Sequence, residues 1–451
     1  MRSIRSTHYL IDLLVDHCQA FSYHIEPLKA KQYASEFPSE LINIFILLND
    51  SIQAKIQLFK TDPDFKSLTF DEASQHINRY FDLYTLLCYS ASFIERSDVS
   101  HTIVELVQPI KRLMKVKLNI EDCEVLIHPL PVFNYNFHNL GKTLQGVRRR
   151  LGITNNKIKF PKHLITIGYP GLETGVTLSH SIIAHELGHC LYMEQNLNKK
   201  IKVKPQRKKL NAFIKRISAG KTLDISDKSQ ITKLINGICE SWVKELLCDA
   251  IGYCLFGPAF MFAQINLLPI IHSTFDEDSP SHPSARMRLI LMFKMLDDES
   301  DYQNILRDKA KRHLQNWRKI TFSKQPRFSN QFFSLAGQSI LDIYDEITIT
   351  AKNAIGNNRI YSASDHTNEI NELVNRAKKF ILPNEYIDSG EVKVVCMESI
   401  LNAGWLAYFE DLGKLQEKYN IKEWECKRKF NDIISRALEM NEVQKRWIEI
   451  Q

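Results

Sequence analysis

Apolar residues recur at helical spacing towards both ends of the chain, and a different pattern separates these two regions. Near the N-terminus, Leu41–Leu48 and Ile77–Cys88 each place apolar side chains on one face of a helix. Near the C-terminus, Glu423–Ile448 shows the same periodicity. The spacing therefore predicts helical regions at residues 1–117 and 301–451.

The middle of the chain, residues 118–300, begins with short β-type runs separated by polar turns. Glu124–Leu130 and Lys157–Gly168 predict strands, because their apolar and branched residues are bounded by turn formers. Helical spacing resumes at Leu178. We therefore predict a mainly helical protein with a small β-sheet, in which a mixed α+β core lies between two helical regions.

One apolar stretch, Ala250–Ile271, is long enough to raise the question of a membrane span. A spanning helix needs about 20 uninterrupted apolar residues. Gly257 and Pro258 interrupt this stretch, and Pro269 lies near its end. We expect two buried helices here and no membrane segment.

Composition narrows the class of protein without identifying it. Hydrophobic residues make up 44% of the 451 residues and charged residues 25%, which is typical of a globular protein and excludes a disordered or collagen-like chain. None of the nine cysteines forms a C-x-x-C pair, so a reducing compartment is expected. The first residues do not form a signal peptide, and we expect a cytoplasmic location.

The positive charge of the chain is concentrated in one segment. The net charge is +7, whereas residues 199–221 alone contain ten Lys or Arg and no acid. This segment could be a solvated surface, a lid over a cleft, or a dock for nucleic acid or an acidic protein. Phe213 is its only aromatic residue, which argues against binding of single strands, because such binding needs stacking platforms.

The strongest chemical signal is an H-E-x-x-H motif at His185–His189. On a helix, residues four apart lie on one face, so both imidazoles can reach one metal ion. Zinc suits two such nitrogen ligands, and Glu186 is placed to take a proton from metal-bound water. The motif predicts a catalytic zinc site with one ion per chain.

A catalytic zinc needs a third protein ligand. One class of zinc peptidase supplies a histidine six residues after the motif, but Gln195 occupies that position here. A second class supplies a glutamate from a later helix. Glu245, followed by Asp249 in an E-x-x-x-D pattern, is the best candidate, and Asp249 could accept a hydrogen bond from a ligand histidine. Glu240 and Glu194 are weaker rivals.

A third motif, Ser281-His282-Pro283, precedes a predicted helix that contains Arg288. Taken alone, Ser281 or His282 could simply cap that helix, with Pro283 in its first turn. Together the three motifs resemble those of gluzincin metallopeptidases, in particular the family of HtpX, the CAAX prenyl endopeptidase and the Oma-type proteases. The resemblance covers residues 179–290.

The resemblance implies a zincin-like core and an assignment of roles to seven residues. Zinc would bind the side chains of His185, His189 and Glu245, with Glu186 as the catalytic base. His282 and Arg288 would line or brace the cleft, and Asp249 would stand behind a ligand histidine, as the E-x-x-x-D spacing already indicates. The departures are the absence of membrane helices beside the motifs, the basic insertion at residues 199–221, and the lack of an Asn-Arg pair shortly before Glu245.

These observations predict an intracellular zinc endopeptidase that acts on a protein or peptide. His282 is the preferred donor to the oxyanion, with Tyr253 and Tyr169 as alternatives. An extended substrate is expected to pair with an edge strand, for which Leu164–Gly168 is the candidate. The helical flanks could bind a regulatory protein. The alternatives are a catalytically silent, zinc-bearing scaffold and, less favoured, a hydrolase that does not act on peptides.

Overall fold

The computed structural model describes residues 2–154, 159–203, 205, 207–217, 225–299, 305–409 and 412–451. Most of these residues are helical, and the strands form one three-stranded and one two-stranded sheet. This confirms the predicted fold class, mainly α with a small β-sheet. The chain divides into two compact units, residues 1–132 with 136–171 and residues 133–135 with 172–451. The three regions predicted from sequence, with boundaries at 117/118 and 300/301, stay a prediction.

The first unit combines six helices with a three-stranded sheet among its described residues. The helices are α1 Arg2–Ile25, α2 Phe37–Leu58, α3 Pro63–Ser67, α4 Phe70–Arg96, α5 Val104–Val116 and α6 Leu140–Arg150. The strands are β1 Cys123–Leu130, β2 Asn136–His138 and β3 His163–Pro170. The apolar faces of α1, α2 and α4 meet in one buried cluster, as their periodicity predicts.

Strand β3 lies in the middle of this sheet. It pairs with β1 in parallel along its whole length and with β2 in antiparallel orientation at Thr166–Gly168. The prediction that Leu164–Gly168 is an edge strand is therefore wrong. The chain reaches β3 last, through α6, and inserts it between the two earlier strands, which a linear pattern does not reveal. The predicted strand start at Lys157 lies outside the described residues.

The second unit is built around the 32-residue helix α9. Its helices are α7 Ile183–Glu194, α8 Arg207–Ile217, α9 Ile225–Phe256, α10 Pro258–Ile271, α11 Ala285–Asp297, α12 Asp308–Phe322, α13 Gln331–Leu341, α14 Tyr344–Ile355, α15 Thr367–Lys378, α16 Met397–Tyr408, α17 Leu412–Tyr419 and α18 Glu423–Ile450. Strands β4 Glu385–Asp388 and β5 Glu391–Val394 form a hairpin. Helix α9 packs against α7, α10, α11, α13 and α14.

The break inside the apolar stretch Ala250–Ile271 follows the prediction. Helix α9 ends at Phe256, Gly257 adopts a positive φ of 58°, and Pro258 begins α10. A positive φ costs glycine nothing, and proline is favoured in a first turn, so this pair turns the chain sharply. Within the described residues, no helix combines the length and the apolar character that a membrane crossing requires.

Asn402 of α16 holds this turn in place. Its buried side chain accepts a hydrogen bond from the Ala259 backbone N–H (2.9 Å) and donates to the carbonyls of Phe256 and Glu398 (both 2.8 Å). The Ala259 N–H group and the Phe256 carbonyl are at helix ends, where the helix itself cannot satisfy them, whereas the Glu398 carbonyl lies one turn earlier in α16 itself. One amide thus fixes the junction between α9 and α10.

We expect Asn402→Ala to destabilise the second unit by about 2 kcal/mol, because it leaves buried backbone groups without partners. Urea unfolding followed by circular dichroism would show a lower midpoint. Asn358→Ala, at an exposed position, is the control and should change the free energy of unfolding by less than about 0.5 kcal/mol. Equal midpoints for the two variants would contradict this role of Asn402.

Candidate metal centre

The two motif histidines lie one turn apart on α7 and face the same side. Their ring centroids are 4.8 Å apart, with the ring planes perpendicular. His185 and Glu186 are buried, and His189 is partly exposed. The local helix therefore orients both imidazoles towards one point, as the spacing predicts.

Glu245 of α9 completes a compact set of three donor groups. Its Oε2 lies 3.2 Å from Nε2 of His185, and its Oε1 lies 3.8 Å from Nε2 of His189. One donor atom from each of the three residues lies within 4.8 Å of the other two. Tetrahedral ligands of zinc are separated by about 3.3 Å, given metal–ligand distances of about 2.0–2.1 Å. His185, His189 and Glu245 could therefore hold one metal ion.

The two rival ligands lie outside this group. Glu240 and Glu194 are both exposed, the first on α9 and the second at the end of α7. Glu240 precedes Glu245 by five residues, so the helix turns it to another face. Among the described residues, the metal-binding group consists of His185, His189 and Glu245.

Asp249 connects the site to a buried arginine. Its Oδ1 accepts a hydrogen bond from Nδ1 of His185 (2.9 Å), which leaves Nε2 of that ring free to face the metal position. Arg288 of α11 binds both carboxylate oxygens of Asp249, at 2.7 and 2.6 Å. This two-point contact fixes the carboxylate plane and therefore the orientation of the His185 ring. The position of Arg288 fits the bracing role that the family resemblance implies, and that of Asp249 fits the E-x-x-x-D spacing.

Helices α7 and α9 approach each other closely at Gly188 and Cys248. A Cβ atom added to Gly188 would lie 2.8 Å from Cα of Cys248, closer than real atoms come. The Sγ atom of Cys248 also lies 3.2 Å from Nδ1 of His189. From the motifs alone, Cys248 would be no more than a small buried apolar residue, and Gly188 would have no separate role. The signal that could have found them is their position, between the two histidines and between Glu245 and Asp249.

Burial and charge shift the acid–base properties of the site. Burial raises the pKa of the Glu186 carboxyl to about 7, a value suited to a proton acceptor near neutral pH. Burial acts to lower the pKa of His185, but its hydrogen bonds to Asp249 and Glu245 outweigh burial and raise that pKa to about 9. Burial and the nearby charge of His185 lower the pKa of His189 to about 3.

The charge balance of the buried groups favours a cation. Glu186, Glu245 and Asp249 are buried carboxylates, and Arg288 is the buried cation beside them. With neutral histidines, three negative charges and one positive charge leave a formal charge of minus two. A divalent cation between the donor atoms would balance that charge, which is costly to bury uncompensated.

His282 lies at the exposed side of the same site. Its Nε2 is 3.6 Å from Oε2 of Glu245, and its side chain is about half exposed, at 52%. Ser281 Oγ lies 2.8 Å from its Nδ1. The capping alternative for this loop is wrong, because Ser284 is the N-cap of α11 and accepts a hydrogen bond from the Met287 N–H. His282 therefore does not cap α11.

The other two predicted oxyanion donors bind elsewhere. The hydroxyl of Tyr253 donates to Oε2 of Glu299 (3.1 Å), and the hydroxyl of Tyr169, in the first unit, donates to the carbonyl of His101 (2.7 Å). Lys244, in contrast, was not predicted. Its Nζ lies 3.3 Å from Oε1 of Glu245 and is partly exposed, so it adds a positive charge at the mouth of the site.

Comparison with known proteins adds no further information, since no family model, curated protein or solved structure matches this chain. The resemblance to gluzincins therefore rests on the three sequence motifs. The geometry adds that the predicted ligands meet.

We expect Gly188→Ala to lower the thermal midpoint of the second unit and to impair metal binding, because its methyl group would push α7 away from α9. Gly237→Ala is the matched control. Gly237 is exposed on α9 with open space around it, so alanine there should stabilise by about 0.5–1 kcal/mol. Differential scanning fluorimetry with and without zinc measures both effects. A Gly188→Ala variant that melts like wild type would exclude the close contact.

We expect Asp249→Asn to weaken zinc binding by about 10–100-fold, since the ring of His185 loses its charged partner and Arg288 its counter-ion. Competition with a chromophoric chelator measures this affinity. Glu240→Gln, which removes one carboxylate from an exposed position of the same helix, should leave affinity unchanged. If both variants bind zinc like wild type, Asp249 does not organise the site.

Proposed function

We propose that this protein is a zinc-dependent endopeptidase that binds one ion per chain. The observation that carries the proposal is the meeting of His185, His189 and Glu245 at one point, with the buried carboxyl of Glu186 beside the first of them. Two imidazoles and one carboxylate are the ligand set of a class of zinc peptidases that leaves the fourth position open. The substrate would be a protein or peptide.

The ion, when bound, would supply Lewis-acid chemistry, polarising a peptide carbonyl and lowering the pKa of water at the open position. The carboxylate of Glu186 would take a proton from the water that attacks the peptide carbonyl, and would donate it to the amine nitrogen as the C–N bond breaks. Its buried setting, which raises its pKa to about 7, matches this exchange at neutral pH. Asp249 and Arg288 keep His185 in the required orientation.

His282 is the proposed donor to the negative charge that develops on the carbonyl oxygen. Ser281 can donate to Nδ1 of His282, and Nε2 then keeps its proton and can act as the donor. The partly exposed position of His282 near Glu245 places it where substrate would enter. Lys244 is a second group of positive charge at this entrance.

The alternative is a zinc-bearing scaffold without catalytic activity. A structural zinc site normally has four protein ligands and no need of a base. The burial of Glu186 beside the ligands favours the enzyme, because a structural zinc site does not need a base, whereas burial raises the pKa of this carboxyl to about 7, which suits proton exchange. The predicted regulatory partner and the cytoplasmic location stay predictions.

We expect purified wild-type protein to contain about one zinc per chain. Glu245→Ala should lose the metal, whereas Glu186→Gln should retain it and lose hydrolysis of unstructured protein substrates by a factor of about 10² or more. Elemental analysis and a fluorescence assay on labelled casein measure the two properties. If wild type and Glu186→Gln both contain zinc and neither hydrolyses casein, the result would support the scaffold instead. No zinc in wild type, prepared without chelator, would exclude both.

A further inference from the structure

A groove away from the metal centre lies between α8 and α13 of the second unit, with a volume of about 510 Å³. One wall is formed by one face of α8, with residues at spacings of three and four. The opposite wall is the matching face of α13. The lining residues are Lys209, Ala212, Phe213 and Arg216 on the first wall and Gln331, Ser334, Leu335 and Gln338 on the second.

The groove has an apolar floor and a charged rim. Phe213 and Leu335 are buried, and the ring of Phe213 packs edge to face against Phe332, with centroids 5.0 Å apart. Lys209 and Arg216 are exposed at the rim, and the guanidinium carbon of Arg216 lies 6.0 Å from the centroid of the Phe213 ring. The packing of Phe213 thus fixes α8 so that both cations border the groove.

This groove carries positive charge without a described counter-charge. Neither α8 nor α13 contains an acidic residue. Within the part of the chain that the structure describes, Lys209 and Arg216 form no ion pair. The basic segment 199–221 reaches beyond α8, but its Lys204 and Lys221 lie outside the described residues. Charge complementarity therefore selects an anionic ligand.

We propose that this groove binds an extended acidic peptide segment of another protein. Lys209 and Arg216 are seven residues apart on a helix, which separates them by about 10.5 Å. In an extended peptide of the polyproline II type, three residues make one turn and each residue rises about 3.1 Å, so acidic side chains at i and i+3 lie on the same face, about 9.3 Å apart. The two cations therefore match two carboxylates at positions i and i+3 of such a peptide.

The glutamine side chains on the α13 wall explain why the ligand is an extended chain. Gln331 and Gln338 are exposed, and an amide can both donate to a carbonyl and accept from an N–H group. An extended peptide has unpaired backbone groups of both kinds, whereas those of a helix are already satisfied. An apolar side chain between the two acids would rest on the floor formed by Phe213 and Leu335. Nucleic acid fits less well, because Phe213 is the one aromatic residue that lines the groove, and stacking of successive bases needs several such platforms.

The binding test uses two fluorescein-labelled peptides that differ only in charge. One carries two glutamates three residues apart with a leucine between them in a Ser/Gly chain, and the other carries glutamines instead. Fluorescence anisotropy at about 50 mM salt reports affinity while surface charges are weakly screened. Wild-type protein should bind the glutamate peptide at least tenfold more tightly. Equal binding of both peptides would overturn the proposal.

Two double variants locate the binding surface. The double variant Lys209→Glu with Arg216→Glu should lose the preference for the acidic peptide. The matched control, Lys208→Glu with Lys215→Glu, changes the charge of the same helix by the same amount at exposed positions outside the lining of the groove, and should retain the preference. If both double variants lose this preference equally, the peptide is attracted diffusely to a basic surface, and the proposal that it binds in the groove would be overturned.

A third variant tests whether the ligand of the groove is a peptide or nucleic acid. Gln331→Leu with Gln338→Leu should weaken binding of the acidic peptide about threefold or more, because the amide contacts are lost. Duplex DNA that binds more tightly than the peptide and is insensitive to this change would replace the peptide as ligand. The proposal does not rest on the metal site, because none of the residues that line the groove belongs to that site.

Discussion

The candidate site depends on how closely α7 and α9 approach each other. At Gly188 the absence of a side chain lets the two helix backbones approach within a distance that excludes even a methyl group. His185 and His189 flank that contact on one helix, while Glu245 and Asp249 flank it on the other. The distance of 3.2 Å between His185 and Glu245 is therefore set by backbone packing. A larger distance between α7 and α9 would separate these donor atoms beyond the reach of one ion.

The same packing also concentrates negative charge at the buried site. It buries three carboxylates next to two histidines and, among the described residues, sets against them the buried cation Arg288 and the partly exposed Lys244. Burial acts to lower the pKa of His185, but the carboxylates of Asp249 and Glu245 outweigh it and raise that pKa to about 9. A divalent ion would balance the charge of these carboxylates, because it would lie between the donor atoms. Arg288, held by two bonds to Asp249, then acts as a rigid support.

Helix α13 contacts both α9, which carries Glu245, and the basic helix α8. Phe333 packs against Trp242 of α9, one turn before Glu245, with ring centroids 5.5 Å apart. Its neighbour Phe332 packs against Phe213 of α8. Gly337 in the same helix leaves space for the ring of Phe328, which also packs near Trp242. One short helix thus supports the hydrolytic site proposed on one side and the peptide groove proposed on the other.

The sequence predicts those features of the structure that depend on residues close together in the chain. The two histidines face one point because four residues make one helical turn, and the helix breaks at Gly257 because only that residue type turns the chain there without strain. Pattern alone favours Glu245 over Glu240 and Glu194, and only packing shows which carboxylate meets the histidines. The contact of Cys248 with His189 and the central position of β3 also depend on packing between distant segments.

What the sequence determined by itself is therefore the helical register of the motif, the mainly helical class and the break in the apolar stretch. Each depends on interactions within a few residues. The tertiary structure alone decided which helix supplies the third ligand, that Arg288 binds Asp249 across 39 positions of sequence, and that Lys209 and Arg216 face a row of amides on another helix. Such pairings depend on how distant segments exclude water together, and no local pattern records that choice.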